Sequence, residues 1–234
     1  MKTTKTRAAI CIVTLVLTVI GSAAGQNRSN WGISVGSVSN KFTGDDPSSL
    51  SEYRFSIYTS YQVGALYEYA ISSDVYLTST PSYKQTGGTL WRENDAFDPN
   101  DEDSEKLIKT AKLKLHYLSI PVYFKVISDN TKWQYSVGLV YEYLIHHHGK
   151  NIQTQQDIQL SNYIHNYNLS ASVSLGYRFH IKQQHFTIDL IYAQGLVNIT
   201  QDLSQNNNNE LPRLKTTSAE TRFTWLLPHK NLQP

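Results

Sequence analysis

The stretch KWQYSVGLVYEYLIHHH, residues 132–148, alternates between two kinds of side chain. From Trp133 to Ile145 every second residue is apolar or aromatic, whereas most residues between them are small or polar, with Glu142 among them. A period of two over thirteen residues predicts a long β-strand with two unlike faces. The medium that each face contacts decides what kind of fold this strand belongs to.

The same alternation recurs along the chain, most clearly in NLSASVSLGYRFHI (168–181). In the fourth alternating segment the apolar phase changes near Tyr117–Leu118, which predicts a bulge, and Pro121 removes a donor from the ladder. We predict eight strands at residues 31–39, 58–70, 75–86, 111–127, 132–147, 166–181, 185–198 and 215–227.

The connections between these strands alternate in length. Short polar links fall at residues 71–74, 128–131 and 182–184, and long links fall at about 40–57, 87–110, 149–165 and 199–214. Short turns at one end and long loops at the other are typical of an antiparallel transmembrane β-barrel with periplasmic turns and extracellular loops. The sequence therefore predicts an all-β, eight-stranded, up-and-down barrel with both termini in the periplasm.

The N-terminus has the layout of a secretory signal peptide. Basic residues in MKTTKTR precede a 13-residue apolar run (8–20) and the small residues GSAAGQ. The alternative, a membrane anchor, is disfavoured because a spanning helix needs about 20 residues. We predict a signal peptide at residues 1–25, an outer-membrane β-barrel domain at 26–234, and an outer-membrane location.

Removal of the signal peptide changes the composition of the chain. Cys11, the single cysteine, is lost, so the mature chain has no disulfide or thiolate metal site. Without Lys2, Lys5 and Arg7 the 21 basic residues fall to 18, against 19 acidic residues. This balance gives no reason to expect a nucleic-acid partner, and the absence of a later apolar run near 18 residues excludes helical spans.

Three features indicate that the apolar face contacts lipid. The polar face consists of Ser, Gly, Thr and Gln with few charges, the strands are long enough to cross a bilayer, and aromatic residues bracket an aliphatic middle. The alternative is a soluble lipocalin-like barrel with its apolar face inside. The predicted aromatic girdle comprises Tyr61, Tyr67, Tyr69, Trp133, Tyr135, Tyr141, Tyr143, Tyr167, Tyr177, Phe179, Phe186, Tyr192, Phe223 and Trp225.

With the apolar face outside, a set of charged residues falls on the inner face. An eight-stranded barrel is just wide enough inside to be filled by side chains, so we predict a paired network that plugs it. The alternative is a wet lumen in which each charge is solvated. The predicted network comprises Glu68, Lys84, Lys125, Glu142, Arg178, Asp189, Glu220 and Arg222.

The order of local motifs resembles the PorT-like outer-membrane β-barrel family of the Bacteroidetes. The matching pieces are VGALYEYAISSDVYLTSTPSYKQTGG (63–88), LSIPVYFKV (118–126), VGLVYEY (137–143), LGYRF (175–179) and YAQGLVNI (192–199). The resemblance implies the fold and an outer-membrane location, and some members resemble components of the type IX secretion machinery. Barrels of this kind usually end in an aromatic residue that the assembly machinery recognises, whereas here PHKNLQP follows the last strand. The machinery would have to recognise Phe223 or Trp225 within the chain instead.

Two segments are candidates for chemistry. His146 and His148, at the end of the fifth strand, could converge with Glu142 in a metal or acid–base site. The acidic stretch RENDAFDPNDEDSEK (92–106) lacks the glycine and terminal Glu spacing of a Ca²⁺ loop. We therefore predict no catalytic, metal or cofactor site and interpret these segments as rim histidines and a solvated loop.

The sequence thus predicts a non-enzymatic barrel with a structural or accessory role. Its predicted partners are outer-membrane lipid and a protein bound by the extracellular loops or the periplasmic rim, with a link to secretion. Two alternatives stay open: a rim-active enzyme that acts on lipid or peptide, and a soluble lipocalin-like binder.

Overall fold

The computed structural model describes residues 29–44, 53–93, 107–128, 132–152, 154–158, 164–200 and 214–227. The predicted signal peptide lies outside these ranges. Within them no helix is long and apolar enough to cross a membrane. The strands are β1 (Ser29–Gly44), β2 (Tyr53–Phe55), β3 (Tyr58–Ala70), β4 (Val75–Ser79), β5 (Ser82–Glu93), β6 (Leu107–Ile127), β7 (Trp133–Asn151), β8 (Asp157–Ile158), β9 (Tyr167–Ile181), β10 (Gln184–Gly195) and β11 (Leu214–Leu226).

The strands close into a ring with eight wall positions. β1 pairs with β3 on one side and with β11 on the other, and the other neighbours follow in chain order, all antiparallel. β4 and β5 share one wall position between β3 and β6, whereas β2 and β8 are short additions beside β5 and β7. The predicted eight-stranded antiparallel up-and-down barrel is confirmed.

The third predicted strand, 75–86, is interrupted in the structure. β4 ends at Ser79 and β5 begins at Ser82, and Pro81, which has no N–H to donate, lies in the gap. The Pro81 carbonyl oxygen accepts a hydrogen bond of 3.0 Å from the Ala65 N–H, so β3 stays paired across the break. β6 and β7 extend beyond their predicted ends toward the long connections.

The short connections lie together at one end of the barrel. The Ile71 and Ser72 N–H groups donate to the Val75 carbonyl at 2.8 and 3.1 Å and close the first turn. At the same end the Leu227 N–H donates to the Trp31 carbonyl at 2.8 Å, which brings the two ends of the described chain together. The strand ends that lead to the long connections are at the opposite end.

The apolar face of the sheet is the outer face. In β7 the exposed fractions of Tyr135 and Val137 are 55% and 58%, whereas Gln134 is fully buried and Glu142 is 3% exposed. The lipocalin-like alternative requires the reverse arrangement, with apolar side chains inside, and is therefore wrong. The opening stretch of sequence thus faces outward with its aromatic and aliphatic side chains.

The predicted bulge in the fourth strand is on the neighbouring strand instead. His116 pairs with His146 and Tyr117 pairs with Leu144, so the extra residue is Ile145 of β7. β6 keeps an unbroken alternation, with its odd-numbered residues buried or half-buried from 111 to 127. The apolar residues change phase because the barrel interior itself changes, from polar in the middle to apolar near the long connections.

Candidate functional site

The barrel interior carries the charged side chains. The structure places all eight of the charged residues assigned to the inner face within the lumen; seven are buried, and the Arg178 side chain is 18% exposed. These residues come from seven different strands. In each strand every second side chain points toward the barrel axis, so charges that are far apart in sequence share the lumen. They form three groups in the lumen.

The first group, here called the Glu68 group, lies near the short connections. Glu68, which is fully buried, forms ion pairs with Lys125 at 2.8 Å and with Arg178 at 2.8 Å. Arg178 Nη2 also donates to Oε1 of Glu68 at 3.0 Å, and Asn30 Nδ2 donates to Oε2 of Glu68 at 3.3 Å. These contacts join β1, β3, β6 and β9 through one carboxylate.

The second group, the Asp189 group, lies along β10 and β11. Asp189 and Arg222 are direct cross-strand partners, and Arg222 Nε is 3.8 Å from the carboxylate. Gln134 Nε2 donates to Asp189 at 2.5 Å. A Cβ atom on Gly176 would lie 2.2 Å from Asp189 Oδ1 and 2.6 Å from Gln134 Nε2. This contact therefore requires the close approach that glycine permits.

The third group, the Lys84 group, lies nearer the long connections. The Lys84 ammonium forms ion pairs with Glu142 at 2.9 Å and with Glu220 at 2.6 Å. Gln62 Nε2 donates to Glu220 at 3.0 Å, and Asn168 Nδ2 donates to Glu142 at 2.7 Å. A single cation thus bridges carboxylates from β7 and β11, and each carboxylate has a neutral donor as well.

The charges balance between groups rather than within each one. The Glu68 group has one acid and two bases, the Lys84 group has one base and two acids, and the Asp189 group has one of each. A buried charge without a partner costs several kcal/mol, and each of these charges has at least one partner within 4 Å.

An apolar cluster, here called the apolar cap, lies in the interior toward the long connections. It brings in the connecting segments as well as the strands, because the His165 N–H donates to the Ile199 carbonyl and the Ile199 N–H donates to the Leu214 carbonyl, both at 2.7 Å. Its buried members are Phe42, Leu115, Tyr117, Leu144, Ile164, Ile199 and Leu214. The sequence reasoning missed this cap, although the phase change around Leu115 was its signal.

A small cavity lies beside the Lys84 group. Its volume is about 10 Å³, which is room for a single water molecule. Its lining includes Lys84 and Glu142 together with Asn40, Thr86 and Val140.

The fourteen residues assigned to the aromatic girdle are exposed or half-buried on the outer face. Near the short connections Phe186 stacks with Phe179 and Phe223, with ring centroids 5.7 and 5.5 Å apart. Further outward rings lie outside the predicted girdle, among them Trp31, Tyr83 and Phe124. Trp31 packs against Tyr67 at 4.7 Å, and Tyr83 packs against Tyr61 at 6.2 Å.

The rim histidines do not converge with Glu142. The extra residue Ile145 reverses the phase of β7, so His146 and His148 point outward while Glu142 points into the lumen. The His146 ring lies 5.6 Å from that of His116, whose Nδ1 hydrogen-bonds the Tyr83 hydroxyl. Among the described residues, no group of three or more His, Cys, Asp or Glu side chains is placed to hold a metal ion. Residues 94–106 of the acidic stretch lie outside the described ranges.

Comparison with protein families gives one match that spans most of the chain. Residues 22–201 match the family model described as "Outer membrane protein beta-barrel domain". No curated protein matches the chain.

Solved structures give weaker similarities. Ail, the attachment invasion locus protein of Yersinia pestis, is 11% identical with a TM-score of 0.41, and the match covers 86% of this chain and 99% of that one. Neisserial surface protein A is 10% identical with a TM-score of 0.41, covering 83% and 96%. The outer membrane protease OmpT of Escherichia coli is 8% identical with a TM-score of 0.36, covering 86% and 95%. Family membership follows from the match over residues 22–201, and the closed ring of strands agrees with it.

Proposed function

The chain belongs to the outer membrane protein beta-barrel domain family, and from that premise we propose that it is a closed, non-catalytic barrel of the outer membrane. Its proposed role is structural or accessory. The barrel anchors the long connections at the cell surface, where they bind a partner protein; the rim at the short connections is the second candidate surface.

The observation that carries this proposal is the filling of the lumen. Three charged groups and the apolar cap follow one another from the short connections to the long ones. An eight-stranded barrel has an interior that side chains can fill completely. A solute crossing it would have to separate Lys84 from Glu142 and Glu220 and then displace the apolar cap, so we propose that the barrel is plugged.

The outward position of the rim histidines supports a non-catalytic role. Glu142, the carboxylate nearest to them in sequence, is engaged by Lys84 and Asn168 inside the lumen and is 3% exposed. A rim-active site built from His146, His148 and Glu142 would need these three side chains on one face. The wall of the barrel separates them.

Three finer features belong to the same proposal. Residues 1–25 act as a cleaved signal peptide that exports the chain, and the mature barrel begins near residue 26. The motif order quoted for residues 63–199 supports membership of the PorT-like group of the Bacteroidetes. Some members of that group resemble components of the type IX secretion machinery. We therefore propose that the barrel is a partner of a secretion machine and not its conduit.

Electrical recording in planar lipid bilayers tests the plugged lumen. The purified chain should give no stable single-channel current. A variant with Lys84→Ala, Glu142→Ala and Glu220→Ala combined with Leu115→Ala should give a small conductance, because it removes a charged group and part of the apolar cap. The outer-surface variant Lys112→Gln serves as the control and should stay silent. Steady channel currents from the wild-type chain would refute the proposal.

Site-specific photo-cross-linking in intact cells tests the partner. A photoreactive residue at position 100, in the long connection between β5 and β6, should give a discrete cross-linked protein band. The same residue at position 183, in a short turn, is the matched control. A band from position 183 alone would move the partner to the periplasmic rim, and no band from either position would remove the partner from the proposal.

A further inference from the structure

The outer face of β6 and β7 carries a ladder of basic residues beyond the apolar band. Three successive cross-strand pairs on this face are composed entirely of histidine and lysine. We call them the basic ladder; the pairs are His116–His146, Lys114–His148 and Lys112–Lys150. All six side chains are exposed or half-buried.

Such a ladder is unfavourable for the wall alone. Like charges directly opposite each other on antiparallel strands are destabilising. On the β5 side, the residues that pair with His116, Lys114 and Lys112 are Gln85, Gly87 and Thr89, none of which is acidic. On the β8 side Asp157 pairs with Lys150 and lies 3.8 Å from His148 Nε2, but its side chain is 78% exposed. A single exposed carboxylate does not neutralise three lysines.

The basic ladder begins where the lipid-facing surface ends. Leu118 and Tyr143 are cross-strand partners that lie one pair before His116–His146 and the bulge, and their exposed fractions are 38% and 49%. With a rise of about 3.3 Å per residue, each further pair stands about 7 Å along the strand from the previous one. The three pairs therefore begin beside the lipid-facing surface and continue for about 14 Å along the strands toward the long connections.

We propose that the basic ladder binds the phosphate groups of a phosphorylated glycolipid in the outer leaflet of the outer membrane. Lysine ammonium groups bind phosphate as point charges, and histidine N–H groups add hydrogen-bond donors. The ligand is membrane-anchored because the same two strands continue below the ladder as an apolar surface that includes Leu118, Val122 and Leu139. A lipid bound there places its acyl chains on that surface and its phosphates on the ladder.

This inference rests on the proposed outer-membrane location and adds a ligand class to it. It predicts selective binding of phosphorylated glycolipid by the folded barrel, independent of whether the lumen is plugged. A failure of lipid selectivity in a barrel that still shows heat-dependent gel migration would therefore overturn the ladder proposal alone. A chain with no heat-dependent migration would point to failure of the barrel proposal itself.

The test is a titration of the purified full chain, in neutral detergent micelles at pH 7, with bisphosphorylated lipid A. Probes for comparison are the same lipid after removal of its phosphates and inorganic phosphate alone. The test variant is Lys112→Gln with Lys114→Gln, and the matched control is Lys132→Gln with Lys182→Gln at the opposite end. A lysine near an anionic lipid surface contributes about fivefold in affinity, so the test variant should bind about 30-fold more weakly.

The wild type and the control should bind phosphorylated lipid A equally well, and the dephosphorylated lipid more weakly. Equal binding of both lipids would show that the apolar surface alone recognises acyl chains and would overturn the proposal. Inorganic phosphate competing at the same concentration as the lipid would also overturn it in favour of a free anion site. If the test variant fails to fold, the wild type still decides: its preference for the phosphorylated lipid should fall at high salt.

Discussion

Replacement of Lys84 by methionine should be among the most destabilising single changes in this barrel. The Lys84 ammonium contacts Glu142 at 2.9 Å and Glu220 at 2.6 Å, and the three side chains are 5%, 4% and 8% exposed. Lys84→Met keeps the aliphatic stem but leaves two buried carboxylates without their shared cation. Removing one partner of a buried ion pair costs about 3–5 kcal/mol, and that range is our expected loss in the free energy of unfolding.

The measurement is a urea titration of the barrel in lipid vesicles, followed by tryptophan fluorescence and by gel migration without boiling. The midpoint and slope give the free energy of unfolding. The matched control combines Lys84→Met with Glu142→Gln and Glu220→Gln, which removes all three charges and keeps polar side chains for Asn168 and Gln62. This triple variant should recover to within about 2 kcal/mol of the wild type. A single variant within about 1 kcal/mol of the wild type, or a triple variant as unstable as the single one, would refute the reasoning.

Three further variants test other parts of the barrel. Gly138→Ala would place a Cβ atom 2.0 Å from the Val122 carbonyl oxygen, so the β6–β7 pairing must shift at a cost of about 1–3 kcal/mol in the free energy of unfolding. The fraction of the protein that migrates as a folded barrel on an unboiled gel should therefore fall. An unchanged fraction would contradict the close packing at this position. Leu115→Ala removes a fully buried side chain from the apolar cap and should lower the free energy of unfolding by about 2–5 kcal/mol in the urea assay. Almost no loss would show that water already reaches this end of the lumen. His146→Ala with His148→Ala changes outward side chains and should shift stability by less than about 0.5 kcal/mol, so a larger loss would show that these rings support the wall.

The sequence was sufficient for the strands whose two faces differ along their whole length. In β7 the alternation from Trp133 to Ile145 indicates both the strand and the inward direction of Glu142, because the pleat fixes the side of every second residue. The break between β4 and β5 was harder to locate. Thr80 is buried, as its alternating position requires, and Pro81 interrupts the strand without reversing its faces.

The direction of the rim histidines could not be read from β7 alone. The side on which His146 lies depends on the extra residue Ile145, and that bulge is defined by the pairing of β7 with β6. The apolar cap was missed for a related reason. Leu115 and Tyr117 share a phase with the inward Lys125, and a uniformly polar lumen would have required a bulge within β6 to explain them. The interior is instead apolar where connecting segments such as the one at Ile199 fold over it.

The buried charges explain how the chain selects which face of its sheet meets lipid. Replacing a buried ion pair by neutral side chains is often nearly neutral in stability, so the Lys84 group by itself adds little to the free energy of folding. In a barrel turned inside out, however, Lys84, Lys125, Arg178 and Arg222 would all face hydrocarbon. Each lysine or arginine on the lipid face near the bilayer centre costs about 2–4 kcal/mol. The paired charges therefore act chiefly against the inverted arrangement.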